Sequence, residues 1–339
     1  MCIGGIDMSA KKDFTGPFAP LCVKYVELKQ AAGYDFKQQS RLLRCFDDFC
    51  KAYKIENYSI TEDIAIAWSK QRPNESEVYR NSRIGVMQRF SQFLCMQGYP
   101  SYFLPSLPRA HSNHTPHIFT YDELHRIFYR LDDMETTSAA PFRNLVMPVL
   151  MRMLYGCGLR VSEALNLSVK DVDLENGILY IRHAKNDKER LVPMSASLTE
   201  KCRTFSEKAH LNSKDTTPFF YNKSYGKYSV SSVHKFFRGI MWDVGIPYLG
   251  RNKGPRVHDL RHTFACHNIQ KWAEAGESIQ SNLVILSKYL GHANVSATQW
   301  YLHMSAQEFP MIREICEREL GGMYAPFKDV YDYVEEEYE

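Results

Sequence analysis

The sequence predicts a mainly α fold with a small antiparallel β-sheet, arranged as an N-terminal helical bundle followed by a C-terminal α+β domain. Three observations carry this prediction. Apolar residues recur at helical spacing over most of the 339 residues. The period shortens to two in one place, around residues 178–193, where a turn signal also appears. Between the two halves, prolines at 100, 105, 108 and 116 leave no room for a regular element.

Composition narrows the class. The chain is long enough for two domains, each with its own core. Hydrophobic residues make up 44% and charged residues 24%, a globular balance rather than that of a disordered chain. The net charge of +3 does not by itself mark a nucleic-acid binder, but the terminal Glu335-Glu336-Glu337-Tyr338-Glu339 hides a more basic body. Nine scattered cysteines, odd in number and without a CxxC pair, fit a reduced, cytoplasmic protein and argue against a disulfide framework. No apolar run is long enough to span a membrane, and the N-terminus lacks the order of a signal peptide, so no membrane partner is expected.

In chain order, residues 1–16 read as a disordered lead and 17–105 as a helical domain. Within it, Leu42, Leu43, Phe46, Phe49 and Cys50 share one helical face, and Ile84, Met87, Phe90, Phe93 and Leu94 another. Breaks are expected at Tyr34-Asp35 and Arg72-Pro73-Asn74. The polar faces carry Lys37, Arg41, Arg44, Arg80, Arg83 and Arg89. Two readings stand open for these six: a merely solvated surface, or a bundle lying on a phosphate backbone. Residues 106–117 form a linker and the hinge of an expected two-domain clamp on duplex DNA. Its His111, His114 and His117 are expected to be solvent-exposed rather than metal-bound, because an extended linker does not gather three imidazoles on one face.

Residues 118–320 form the second domain, followed by an acidic tail over 321–339. Thr120-Tyr121-Asp122-Glu123 has the pattern of a capping box, opening a helix through Leu124, Ile127, Phe128 and Leu131. A strongly apolar helix from Pro141 stops at Gly156-Cys157-Gly158, where the glycines permit a tight turn. Arg160 follows, then a short helix over Val161–Leu165. Asn176-Gly177 precedes a strand through Ile178, Tyr180 and Arg182; Lys188–Pro193 is its partner, with Lys185 at the hairpin tip. Helices follow around 198–209 and 230–244, separated by the aromatic Phe219-Phe220-Tyr221.

The chemistry concentrates in Arg256-Val257-His258-Asp259-Leu260-Arg261-His262-Thr263-Phe264-Ala265, read with Leu290-Gly291-His292 and Tyr301. On a helix, His258 and Arg261 lie one turn apart and point the same way. Arginine binds phosphate oxygens with two donors at once, histidine moves protons near neutral pH, and tyrosine can act as a covalent nucleophile. Together they point to phosphodiester chemistry with the phosphoryl group held briefly on the protein.

The ordered series Gly158-Leu159-Arg160-Val161-Ser162-Glu163, Lys185 on a hairpin, His258–Ala265, Leu290-Gly291-His292 and Tyr301 resembles the tyrosine recombinase (phage integrase) family. The resemblance covers residues 118–310, and residues 17–105 look like that family's helical core-binding domain. It implies that Arg160 and Arg261 hold the scissile phosphate, Lys185 protonates the leaving 5′ oxygen, and His258 assists proton transfer. It also implies that His292 hydrogen-bonds the phosphate and that Tyr301 attacks to give a 3′-phosphotyrosine. No metal or cofactor is expected, since two guanidiniums supply the positive charge that phosphoryl transfer needs. Glu163 either orients Arg160 or simply caps its helix. The implied partner is double-stranded DNA at a specific site, bound by a tetramer in the synaptic complex, with the protein monomeric off DNA and with accessory DNA-bending or directionality factors. Mobilisation of a transposon or phage-like element leads; an Xer-type resolvase of chromosome or plasmid dimers, a type IB topoisomerase and a catalytically dead DNA-binding protein are the alternatives. The stretch Lys271–Ser278 is longer than the family's usual connection; it is either a longer loop or a change in how the Tyr301 segment meets its neighbours. An amphipathic helix through Met311, Ile312, Ile315, Cys316 and Leu320, or the aromatic and acidic tail after it, is expected to dock on a neighbouring subunit, the alternative being a helix folded back on its own domain.

Overall fold

The computed structural model describes residues 14–105, 115–138, 140–182, 189–222, 226–246, 254–292, 296–308 and 312. The chain divides into two compact units, residues 1–112 and 113–339.

The N-terminal unit is built of α1 (Ala19–Ala31), α2 (Lys37–Phe49), α3 (Glu62–Ser69) and α4 (Glu77–Met96). Leu42, Leu43 and Phe46 of α2 and Ile84, Met87, Phe90, Phe93 and Leu94 of α4 are buried, as their helical spacing predicts. They meet Phe18, Tyr25 and Trp68 in an aromatic core in which Phe46 lies 5.2 Å from Trp68 and Phe18 5.9 Å from Phe90. Asp47, fully buried, accepts the backbone N–H groups of Gly16 and Phe18 at 2.8 Å and so fixes the entry to α1. The break at Asn74 occurs as expected, with φ of 60°. Another, over Tyr53–Thr61, carries Asn57 and Tyr58 at positive φ and has no glycine or proline to announce it.

The second unit opens with α5 (Tyr121–Asp132), whose Thr120 and Glu123 form the expected capping box. Then come α6 (Arg143–Gly156), α7 (Val161–Asn166), the strands β1 (Val172–Asp173), β2 (Ile178–Ile181) and β3 (Arg190–Pro193), and α8 (Ala196–Ala209). A two-stranded β4 (Tyr221–Asn222) and β5 (Gly226–Lys227) precede α9 (Val230–Asp243), α10 (Asp259–Glu274), α11 (Ile279–Leu290) and α12 (Ser296–Glu308). The larger sheet is antiparallel in the order β1-β2-β3, with Ile181 opposite Arg190 and Ile178 opposite Pro193. Leu179, Ile181 and Val192 turn into the core, which α6 fills with Val146, Met147, Leu150, Met153 and Leu154. A second core joins α10, α11 and α12 through Cys266, Ile269, Leu283, Leu286, Leu290, Trp300 and Tyr301.

Two expectations are corrected. The stretch after Lys271 is not a long loop: α10 runs on to Glu274, and a short turn with Gly276 at φ 69° leads into α11. His117 is half-buried rather than solvent-exposed, and its Nε2 lies 3.1 Å from both carboxylate oxygens of Glu123. Ile312 is buried in the core that holds Tyr301. His111, His114 and the rest of the expected C-terminal helix lie outside the described residues. None of the described cysteines forms a disulfide. Among the described residues no helix is long and apolar enough to cross a membrane.

Candidate active site

The site assembles where the N-terminus of α7, the start of α10 and the C-terminus of α11 converge. The turn after α6 makes this possible. Gly158 has φ of +58°, and a Cβ there would lie 2.6 Å from Phe264 and 2.9 Å from Leu290, so only glycine lets the chain pass between α10 and α11. Its carbonyl accepts Nη1 of Arg261 at 2.7 Å, while Nη2 donates to the Leu290 carbonyl at 2.9 Å. Arg261 is thereby held at both Nη nitrogens, fully buried, one turn after His258, which occupies the N-cap of α10.

Nη2 of Arg261 also lies 3.0 Å from Nε2 of His292. A guanidinium has no acceptor, so Nε2 must be the acceptor and Nδ1 must carry the proton. That proton goes to Oγ1 of Thr298, 2.7 Å away and buried on α12. The tautomer of His292 thus follows from its two neighbours. Gly291, in the left-handed conformation at φ 72°, ends α11 and turns His292 toward Arg261.

Arg160 is the N-cap residue of α7, and its side chain is 13% exposed, enough to reach a bound group. Glu163, one turn on, accepts both the backbone N–H of Arg160 and its Nη1 at 3.0 Å. It is therefore both the cap and the orienting acid. Arg190 of β3 also donates Nη1 and Nη2 to the two Glu163 oxygens, at 3.0 and 2.8 Å. Burial pushes the Glu163 carboxyl upward, but the hydrogen bonds and charge of Arg190, with the charges of Arg261 and Arg160, outweigh it and hold the group at about 2. Three guanidiniums thus act on one carboxylate in a largely buried place.

Tyr301 is fully buried among rings: His292 stacks 5.8 Å away at 19°, His262 lies at 5.5 Å and Trp300 at 5.4 Å. His262 in turn meets His258 edge-on at 4.7 Å. The structure therefore brings Arg160, His258, Arg261, His292 and Tyr301 into one connected cluster. Lys185 lies outside the described residues. Sequence reasoning missed Arg190 and Thr298. The sequence holds a signal for Arg190, a charged residue directly after a hairpin tip on a short, otherwise apolar strand; for Thr298 it holds none.

The six basic residues of the N-terminal unit part ways. Lys37, Arg41 and Arg89 are exposed, Lys37 pairing with Asp35 at 3.0 Å. Arg44 is half-buried, 5.9 Å from the ring of Phe14, and half-buried Arg80 donates to the Ser69 carbonyl at 2.7 Å. Arg83 is a correction: it is 1% exposed and cannot lie on a solvated or phosphate-facing surface. It bonds Glu75 through Nε at 2.6 Å and Nη2 at 2.8 Å, donates to the carbonyls of Trp68 and Lys70, and sits 4.9 Å from the Trp68 ring. Helical period alone does not show that the polar face of α4 here meets the turn after α3.

A basic cluster with a buried tyrosine defines a phosphoryl-transfer site. Among the described residues no group of histidine, cysteine or acidic side chains could hold a metal ion. The profile of the phage integrase family matches residues 118–308. A Sinorhizobium fredii protein named as an integrase/recombinase is 30% identical over 82% of this chain and 90% of its own length. Tyrosine recombinase XerC of Proteus mirabilis is 34% identical over 48% of this chain and 49% of its own. The fold is shared with the Tn1549 transposon integrase in complex with transposon right end DNA, at a TM-score of 0.60 and 17% identity over 88% of this chain and 99% of that one. It is shared too with XerH bound to palindromic difH substrate, at 0.56 and 23% over 71% and 66%. The chain belongs to the phage integrase family, and its activity is that of a site-specific tyrosine recombinase.

Proposed function

We propose that the chain cuts and rejoins duplex DNA at a specific site through Tyr301, on behalf of a mobile element. The observation that carries the reading is the gathering of guanidiniums around Glu163, with Arg261 anchored by two carbonyls and Arg160 beside it. A scissile phosphate entering there finds fixed positive charge where negative charge grows in the transition state. The phenol oxygen of Tyr301 attacks phosphorus, the bond from phosphorus to the 5′ oxygen breaks, and Lys185 gives that oxygen its proton. His258 takes the phenol proton. The bond energy stays in the 3′-phosphotyrosine, so attack by another 5′ hydroxyl rejoins the strand and releases the enzyme. His292 donates to the phosphate, which requires a proton on Nε2 and so release of its present bond to Arg261. Tyr301 is fully buried, so productive docking must bring its hydroxyl out to the phosphate.

Strand exchange between two duplexes calls for four subunits, and accessory DNA-bending or directionality proteins would set its outcome. Exposed Arg41, Arg89 and Lys37 of the helical unit supply phosphate contacts that position the DNA. A cytoplasmic setting suits this work. The likeness to an integrase/recombinase, at 30% identity over 82% of this chain, favours mobilisation, while the likeness to XerC favours dimer resolution as the second reading. The test is a nicked suicide duplex incubated with wild-type and Tyr301→Phe protein and run on a denaturing gel. A covalent adduct with wild type alone is expected; an adduct that persists in the variant overturns the assignment of the nucleophile. Excision from a donor plasmid, scored against resolution of a plasmid dimer, separates the two biological readings.

A further inference from the structure

Arg190 takes none of the roles above, yet it ties together two elements that build the site, α7 and the end of α11. Its side chain is 9% exposed. Its fork closes on both oxygens of Glu163, at 3.0 and 2.8 Å, and its Nε donates to the Tyr289 carbonyl at 2.9 Å. Gly291 lies directly against it, and a Cβ there would sit 2.9 Å from Nη1. One planar group therefore joins the edge of the sheet, the start of α7 and the end of α11.

Charge explains why this matters. A guanidinium and a carboxylate within reach prefer to pair through two parallel bonds. Glu163 is one turn from Arg160 and already takes its backbone N–H. Even so, the Arg160 side chain makes a single bond to it, Nη1 to Oε1 at 3.0 Å, while Arg190 takes both oxygens. We propose that Arg190 is a positioning residue for recombination: by occupying the Glu163 carboxylate it limits Arg160 to a single side-chain bond with Glu163 and so keeps it directed at the scissile phosphate, instead of closing on Glu163. The inference rests on the reading of Arg160 as a phosphate ligand.

The experiment is single-turnover cleavage of the suicide duplex by full-length wild type, Arg190→Gln, Arg190→Lys and the double variant Arg190→Gln with Glu163→Gln, with duplex affinity measured separately. Misdirecting one phosphate ligand costs on the order of 100-fold, so Arg190→Gln should cleave about 100-fold more slowly while binding DNA within about threefold of wild type. Arg190→Lys keeps the charge but not the fork, and should fall about tenfold. The double variant is decisive. A neutral amide at 163 no longer draws Arg160, so the double should cleave at least about tenfold faster than Arg190→Gln alone. A residue that only supports the fold predicts the reverse, with the double no faster than the single. That result, or Arg190→Gln cleaving at the wild-type rate, overturns the proposal. Should Arg190→Gln fail to fold, the same comparison is made with Arg190→Lys with and without Glu163→Gln: a gain supports the proposal and no gain overturns it. A wild-type chain that forms no Tyr301-dependent adduct sinks the functional reading and this inference together. A wild-type adduct with no Arg190 effect sinks this inference alone.

Discussion

Each unit of the molecule buries an arginine–glutamate pair, and the two pairs are built differently. In the N-terminal unit Arg83 makes two bonds to Glu75, and the remaining Arg83 donors go to carbonyls at the turn after α3. The Arg83 hydrogen bonds hold Glu75 below its usual range, and the charges of Arg83 and Arg72 add to them. In the second unit one glutamate serves Arg160 and Arg190 directly, with Arg261 close enough to act on it through its charge. A balanced pair ties elements together. A carboxylate shared by several guanidiniums gathers positive charge where an anion can bind, and such a cluster is the mark of a candidate site.

That contrast can be broken or sharpened by experiment. The largest effect belongs to chemistry: Tyr301→Phe should abolish the covalent adduct while leaving duplex affinity within about threefold, because a single hydroxyl is lost. Next comes a swap across the two units. Arg261→Gln should slow cleavage by about 10²–10³-fold, as removal of one preorganised charge does elsewhere. Arg83→Gln should leave single-turnover cleavage by folded protein unchanged but cost about 3–5 kcal/mol of stability, because Glu75 is left buried without its cation. Denaturant melts beside cleavage rates test both halves; slow cleavage by fully folded Arg83→Gln protein would erase the distinction.

Acid gives the third prediction. The folded carboxyl of Glu163 titrates near 2, below its ordinary value of 4.5, so the stability it contributes is fully present above about pH 4.5. It should be lost progressively as pH falls from there toward 2. The stability gap between wild type and Glu163→Gln, followed by melts across this range, should shrink toward acid pH; a gap independent of pH would mean that the carboxylate charge does not matter. The smallest effect is expected from Arg41 and Arg89, exposed on the helical unit. Replacing both with glutamine should weaken binding evenly across sequences and lower the salt slope by about 1.8, while stability stays within about 0.5 kcal/mol. No change in slope would return them to a solvated surface.

Much of the fold and of the site is legible in the sequence. The helical faces of α2 and α4, the capping box at Thr120 and the hairpin after Asn176 are local patterns, in which period and turn chemistry act over a few residues. The site motifs are legible because Arg160, His258, Arg261, His292 and Tyr301 stand in short, ordered stretches. Arg83 misleads because a polar position on a helix looks the same whether water or another element faces it. The run after Lys271 misleads because a charged stretch can extend a helix as readily as form a loop.

The sequence by itself determined the order of the main elements, a core for each unit and the residue types available for phosphoryl transfer, since these depend on propensity, period and spacing along the chain. The tertiary structure alone decided which charges meet. It placed Arg190 on Glu163 from 27 residues away, set Arg261 between carbonyls 103 and 29 residues distant, and fixed the tautomer of His292 through Arg261 and Thr298. Electrostatic and hydrogen-bond energies depend on distance in space and on exclusion of water, and neither is written in the order of the residues.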